Sequence, residues 1–141
     1  MGNSGDIPVD PKGRLIVPVA FRRAMPPGMN TFVVTQGVDG CLEAFDPLGW
    51  DTVIQRLLEL GGNRRQNRQY VRALVGSAIE AQLDRQGRIL LPRTHRDIAQ
   101  IVDRAMMVGM IDRIEIWNPE RYLEAQKDVD LNAVAEDLDM F

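Results

Sequence analysis

The sequence predicts an α+β fold: a pseudo-twofold β barrel assembled from two tandem copies of one small unit, with flanking helices. Three observations carry this. The segment Val9-Asp10-Pro11-Lys12-Gly13-Arg14-Leu15-Ile16-Val17-Pro18 recurs as Leu83-Asp84-Arg85-Gln86-Gly87-Arg88-Ile89-Leu90-Leu91-Pro92, an offset of 74 residues. Later punctuation recurs as well. Arg22 falls on Arg96 at the same offset, while Gly37 and Asp46-Pro47 fall on Gly109 and Asn118-Pro119 at an offset of 72, so one two-residue deletion reconciles the halves. Finally, a turn, a strand, a helix and a hairpin are too few to bury a core, so the copies must pack on each other.

Each copy reads the same way. The Asp-x-x-Gly-Arg segment is a turn whose Gly13 or Gly87 is free to take positive φ. The apolar run behind it, Leu15-Ile16-Val17 or Ile89-Leu90-Leu91, is a short strand closed by proline. Pro18 and Pro92 then suit the entrance of a brief helix carrying Phe21-Arg22 or Ile98-Ala99. Two β runs follow, Thr31–Thr35 with Cys41–Phe45 and Ala105–Val108 with Ile114–Trp117, each pair a hairpin joined by the turn residues 36–40 or 109–113.

After the first hairpin the period changes to helical. Trp50, Val53, Ile54, Leu57 and Leu58 recur at three- and four-residue spacing until Gly61-Gly62. A second helical stretch is predicted from about Arg64 to Ala81, burying Val71, Leu74, Val75 and Ala78 beneath a stripe of Arg64, Arg68 and Arg72. Pro119 begins another helix, and the acidic segment 128–141 is helical around Leu131, Val134, Ala135 and Leu138 or partly disordered. The polar start Asn3–Pro8 predicts at most a short first strand. The expected organisation is residues 1–62 for the first repeat and its helix, 63–82 for an Arg-rich connecting helix, and 83–141 for the second repeat with its acidic end, the repeats forming one compact domain.

Composition narrows the function. A 45% hydrophobic, 26% charged chain of 141 residues is ordinary for a globular domain. The single cysteine, Cys41, excludes an internal disulfide framework and a multi-cysteine zinc site. No apolar run approaches the roughly 18 residues of a membrane helix, and the start lacks a signal-peptide order and the Ser or Thr of a myristoylation signal, so a cytoplasmic location is expected. The net charge of -3 conceals a gradient. Residues 1–104 hold 14 Lys/Arg against 11 Asp/Glu, a net +3, whereas 105–141 hold 3 against 9, a net -6. A basic body leaves a nucleic-acid partner open if its cations gather on one surface.

The repeated turn is where they would gather. It projects Lys12 and Arg14 in the first copy and Arg85 and Arg88 in the second from a glycine-hinged loop. Arginine bonds phosphate, or the O6/N7 edge of guanine, bidentately, and lysine adds counterion release. A Gly-Arg turn is also often a plain solvated hairpin, and Asp10 and Asp84 have a structural reading as acceptors for turn N–H groups.

Taken together, Asp10-x-Lys12-Gly13-Arg14-x-x-x-Pro18-x-x-x-Arg22, Asp84-x-x-Gly87-Arg88-Ile89-x-x-Pro92-x-x-x-Arg96 and Ile114-Glu115-Ile116-Trp117 resemble the MraZ family, tandem relatives of the AbrB-type swapped-hairpin proteins. The resemblance spans nearly the whole chain. It implies a swapped-hairpin barrel of two AbrB-like repeats, a homo-oligomeric ring, and transcriptional regulation from the nucleoid. Its implied partner is double-stranded DNA carrying short direct repeats upstream of the division and cell-wall gene cluster that includes the regulator's own gene. Carried over by motif, Lys12 and Arg14 are the foremost DNA contacts, Arg88 is the second copy's match, and Arg85, Arg22 and Arg96 complete the set. Gln86 departs from the pattern where the first copy has Lys12, which predicts unequal use of the two turns.

Two other classes compete. An enzyme is disfavoured: the only histidine, His95, sits among Arg93, Arg96 and Asp97 and reads as an exposed polar residue, Cys41 reads as a buried inert thiol, and no spacing suggests metal, acid-base or phosphate-cradling chemistry. No cofactor, metal or small-molecule substrate is therefore expected. The other is a non-catalytic oligomeric scaffold whose basic faces, including Arg64, Arg65, Arg68 and Arg72, pair with acidic surfaces. Trp50 and Trp117 are read as packing a helix on the barrel rather than stacking on bases.

Overall fold

The computed structural model describes residues 2–140 and shows a mixed α+β chain in which the two repeats exchange strands. The first repeat runs β1 (Asn3–Pro8), β2 (Arg14–Ile16), α1 (Val19–Arg23), β3 (Thr31–Gln36), β4 (Leu42–Phe45) and α2 (Pro47–Leu58). Helix α3 (Arg65–Gly76) leads into β5 (Ile79–Gln82), β6 (Arg88–Leu90), α4 (Arg93–Ala99), β7 (Arg104–Gly109), β8 (Ile114–Trp117), α5 (Pro119–Gln126) and α6 (Leu131–Asp137). One antiparallel sheet has the order β1-β7-β8-β4-β3-β5, and β2 pairs with β6 in a separate two-stranded ribbon.

That order reads identically from either end once the repeats are interchanged. The pseudo-twofold axis passes between Glu43 and its cross-strand partner Glu115, and between Leu15 and Ile89 at the centre of the ribbon. Each repeat's first strand pairs with the other repeat's hairpin in equivalent register: β1 lies on β7 with Ile7 against Ala105, and β5 on β3 with Ala81 against Phe32. The core is accordingly shared, with Leu15, Val17, Phe21, Phe32, Val34 and Leu42 of one repeat packed among Ile89, Leu91, Ala99, Met107 and Ile116 of the other.

Four expectations are corrected. The sheet is not a closed barrel, because β1 and β5 occupy its two edges and never pair, while the ribbon lies across the core instead. The three-residue ribbon strands cannot extend to join those edges, since Pro18 and Pro92 follow after one further residue and offer no N–H for a ladder. The helical stretch predicted to Ala81 ends at Gly76; Ile79–Gln82 is a strand, because β3 supplies hydrogen-bonding partners that outweigh a residual helical spacing. Of the four residues expected to be buried there, only Leu74 is fully buried; Val71 and, beyond the helix, Ala78 are half-buried, and Val75 is exposed. The two-residue deletion is really two single ones. Gln36 pairs with Leu42 and Gly109 with Ile114, so residues 37–41 in one hairpin loop face 110–113 in the other, and Gly37 corresponds to Met110 rather than Gly109. The remaining deletion precedes β7.

The fourth concerns His95, which is 5% exposed rather than a surface polar residue. At the offset of 74 it stands where the first repeat has the buried Phe21, on the inward side of α4, and its Nε2 lies 2.7 Å from the Ser77 carbonyl oxygen. Around it, the Thr35 hydroxyl bonds the Leu74 carbonyl, and Thr35 and Ser77 hydroxyls meet at 2.8 Å, which fastens the end of α3 to β3. The first strand is six residues long but regular only over Asp6–Pro8, with a shift of register between Asn3 and Asp6.

The helices behave as their patterns require. Asp46 and Asn118 cap α2 and α5 through their side-chain oxygens, each ahead of a proline in the first turn. Trp50 packs on Phe45 and Trp117 on Tyr122, both with ring centroids 5.6 Å apart. Helix α6 forms over the expected residues, capped by Asp130, but leaves Leu131, Val134 and Leu138 exposed. Phe141 lies outside the described residues. Cys41 is fully buried, and burial together with the carboxylates of Glu115, Glu43 and Asp39 pushes its thiol up to about 12, which keeps it protonated.

Candidate nucleic-acid interface

Both Asp-x-x-x-Arg turns close by the same bonds. Asp10 Oδ1 accepts the backbone N–H of Lys12 and of Arg14, each at 2.9 Å, and its Oδ2 accepts Arg14 Nε at 2.6 Å. Asp84 repeats this with Gln86 and Arg88 N–H at 2.9 Å and Arg88 Nε at 2.8 Å. The aspartates are thus structural acceptors, as one reading of the turn proposed. Chiefly through the Arg14 N–H bond, then its guanidinium, Asp10 is held down at about 2; Asp84 is lowered for the same reasons, led by the Arg88 N–H. Both carboxylates are therefore ionised at neutral pH.

The consequence for the arginines is orientation. With Nε committed to the aspartate, Arg14 and Arg88 keep both terminal nitrogens without a polar partner among the described residues. A guanidinium anchored at Nε and open at its terminal pair is preorganised for bidentate donation to an acceptor edge or a phosphate.

The turns are then locked to each other across the pseudo-twofold. Leu91 N–H donates to the Gly13 carbonyl at 2.9 Å, and Val17 N–H to the Gly87 carbonyl at 2.9 Å. Over each turn lies the other repeat's helix arginine: Arg96 Nε donates to the Leu91 carbonyl at 3.0 Å beside Gly13, and Arg22 Nε to the Val17 carbonyl at 2.9 Å beside Gly87. Both glycines have positive φ, +94° and +76°, and a Cβ on Gly13 would stand 2.4 Å from the Leu91 carbonyl oxygen. Glycine is demanded twice over, by the backbone and by the neighbour.

On the ribbon, alternation separates two faces. Leu15 and Ile89 are buried in the core, and Arg14, Ile16, Arg88 and Leu90 face outward, with Arg14 opposite Leu90 and Ile16 opposite Arg88. Lys12 and Arg85 stand exposed on the flanking turns. All six predicted residues are therefore brought around the ribbon and its two turns, four as outward cations and two, Arg22 and Arg96, half-buried as braces of the turns. Arg65, Arg68 and Arg72 lie apart, exposed on α3, where Arg68 donates to the Gly62 and Asn63 carbonyls. Reasoning from sequence missed the exposed Ile16 and Leu90; the outward positions follow from the period of two once Leu15 and Ile89 are placed in the core.

Fold and site together define a duplicated strand-exchanged protein whose two halves jointly present one small basic β-ribbon. The MraZ protein family model, described as antitoxin-like, matches residues 2–72 and again 74–140. The chain is 37% identical over 132 residues to the transcriptional regulator MraZ of Pediococcus pentosaceus, covering 92% of this chain and 90% of that one. It is 41% identical over 116 residues to that of Moorella thermoacetica, covering 82% and 79%, and 36% identical over 132 residues to that of Lactiplantibacillus plantarum, covering 92% of both. The chain belongs to the MraZ family of transcriptional regulators, a family of regulators rather than of enzymes. Among the described residues no helix is long and apolar enough to cross a membrane.

Proposed function

We propose that this protein regulates transcription by binding double-stranded DNA through the β2–β6 ribbon and its two turns. Its targets are short direct repeats upstream of the division and cell-wall gene cluster containing its own gene, and it acts there as a cytoplasmic, nucleoid-associated, ring-forming homo-oligomer. The observation that carries the reading is the convergence of Lys12, Arg14, Arg85 and Arg88 on one ribbon and its turns, built from both repeats. A two-stranded ribbon fits the B-DNA major groove, where arginine addresses guanine O6 and N7. Arg22 and Arg96, whose Nε atoms brace the turns, would add contacts to phosphates at its margin. A gel-shift titration with the DNA just upstream of its own gene tests this; equal retardation of unrelated DNA would leave only a basic scaffold.

Four cations make a weak site, so affinity must come from several subunits on repeated DNA. Light scattering is expected to report an oligomer without DNA, and a clean monomer of 15.9 kDa at micromolar concentration would count against the ring. Exposed apolar side chains on α2 and α6, among them Leu48, Leu58, Leu131 and Val134, support that expectation.

The turns are expected to contribute unequally, since Lys12 has Gln86 as its counterpart. Each phosphate contact adds roughly 0.9 to the slope of log K against log salt. Lys12→Ala should flatten the slope by about one unit per engaged subunit, and Gln86→Ala should leave it unchanged. A Lys12→Ala protein with the parent's slope on multi-repeat DNA would remove Lys12 from the site.

A further inference from the structure

The outward face of the ribbon is only half basic. Ile16 is 51% exposed and Leu90 49% exposed, and they occupy one diagonal of a four-residue patch whose other diagonal is Arg14 and Arg88. Nothing in the core requires this, because the inward face is already filled by Leu15 and Ile89, and a threonine would serve the strand equally well. Exposed aliphatic side chains placed symmetrically among cations call for an occupant that is both anionic and locally apolar.

Duplex DNA presents that combination in the major groove, where the thymine 5-methyl group is the apolar feature of an otherwise polar edge. A strand advances about 6.7 Å over two residues, close to two base-pair rises of roughly 3.4 Å. Arg14 and Ile16 on one strand, and Arg88 and Leu90 on the other, therefore match acceptor edges and methyl groups about two base pairs apart.

We propose that Ile16 and Leu90 are specificity-determining residues that pack against thymine methyl groups beside the bases addressed by Arg14 and Arg88. This rests on the DNA-binding reading above. It assigns the ribbon a second form of recognition, selecting thymine where the arginines select guanine, and it gives both repeats a part even though their turns differ in charge.

The test is fluorescence anisotropy on two versions of the DNA upstream of the protein's own gene, one with thymidine and one with deoxyuridine throughout, which lacks only the methyl groups. Burying one methyl is worth about fourfold in affinity, so two contacts per subunit predict a loss on the order of tenfold for each engaged subunit of the parent on the deoxyuridine duplex. The Ile16→Ala, Leu90→Ala double variant is expected to bind both duplexes alike, at the weaker affinity. Ile16→Ser with Leu90→Ser repeats the measurement with no side-chain methyl left to meet the thymine, should the alanine variant lose its circular-dichroism signature. Equal parent affinity for the two duplexes overturns the proposal, as does a double variant that still loses tenfold. A double variant with altered mass by light scattering also overturns it, by placing these side chains in a subunit contact. Failure of the parent to bind even the thymidine duplex would instead sink the DNA-binding reading itself.

Discussion

Replacing Arg14 with alanine is expected to abolish specific DNA binding while leaving the fold intact. The side chain is on the outward face of the ribbon, its Nε bonded to Asp10 and its terminal nitrogens unengaged by other described residues. Its removal buries nothing unsatisfied, because Asp10 still accepts the N–H groups of Lys12 and residue 14. The ion pair it gives up is part-exposed and contributes little to stability. A good bidentate arginine contact, by contrast, discriminates bases by about 1–3 kcal/mol, and the loss recurs at every subunit linked on one DNA. Gel shift and circular dichroism together decide the matter. Parent-like binding by Arg14→Ala removes it from the site, and an unfolded variant shows that its bond to Asp10 holds the turn.

The second large effect is expected on stability, from Gly13→Ala. At φ +94° an alanine occupies a region unfavourable by about 1–2 kcal/mol, and its Cβ meets the Leu91 carbonyl oxygen at 2.4 Å and Arg96 Nε at 2.8 Å. Backbone is the harder obstacle. Relieving it means separating Leu91 from the Gly13 carbonyl, one of the bonds joining the repeats. Overpacking of this kind adds about 1–3 kcal/mol, so a total of about 2–5 kcal/mol is set against a stability typically of 5–15 kcal/mol. Urea unfolding should show a lower midpoint with an unchanged slope. Gly87→Ala should lose less, since the atoms nearest its Cβ belong to the Arg22 guanidinium, at 2.8 Å and beyond, and a side chain yields more readily than backbone. A Gly13→Ala midpoint equal to the parent's would show that the two turns are not rigidly joined.

How far the residues foretold the site can be seen in particular positions. The positive φ of Gly13 and Gly87 was legible, because only glycine suits the turn that Asp10 and Asp84 close through their own neighbours. So were the hairpins, with Ile114–Trp117 placed to the residue, since a period of two and turn residues are local signals. His95 was read from its polar neighbours and misjudged. The better signal was its alignment with Phe21, which stands in the same inward place one repeat earlier. The strand Ile79–Gln82 was missed for a related reason: four residues continue a helical spacing equally well, and only the edge of β3 chooses between the two.

By itself, then, the sequence determined the duplication, through recurrence at an offset of 74 residues, and the order of elements within each repeat, the turn chemistry and the choice of cations, which depend on residues within a few positions of one another. Tertiary structure alone decided what those pieces form together. It sends β1 and β5 to opposite edges of one open sheet rather than closing a barrel, and sets Arg96 over Gly13 and Arg22 over Gly87. It also turns Ile16 and Leu90 outward between the arginines. The physical reason is that these arrangements arise from pairings between residues about 45 to 105 positions apart. There, the choice of partner is set by which edges, carbonyls and apolar faces remain unsatisfied after each repeat has formed its local structure.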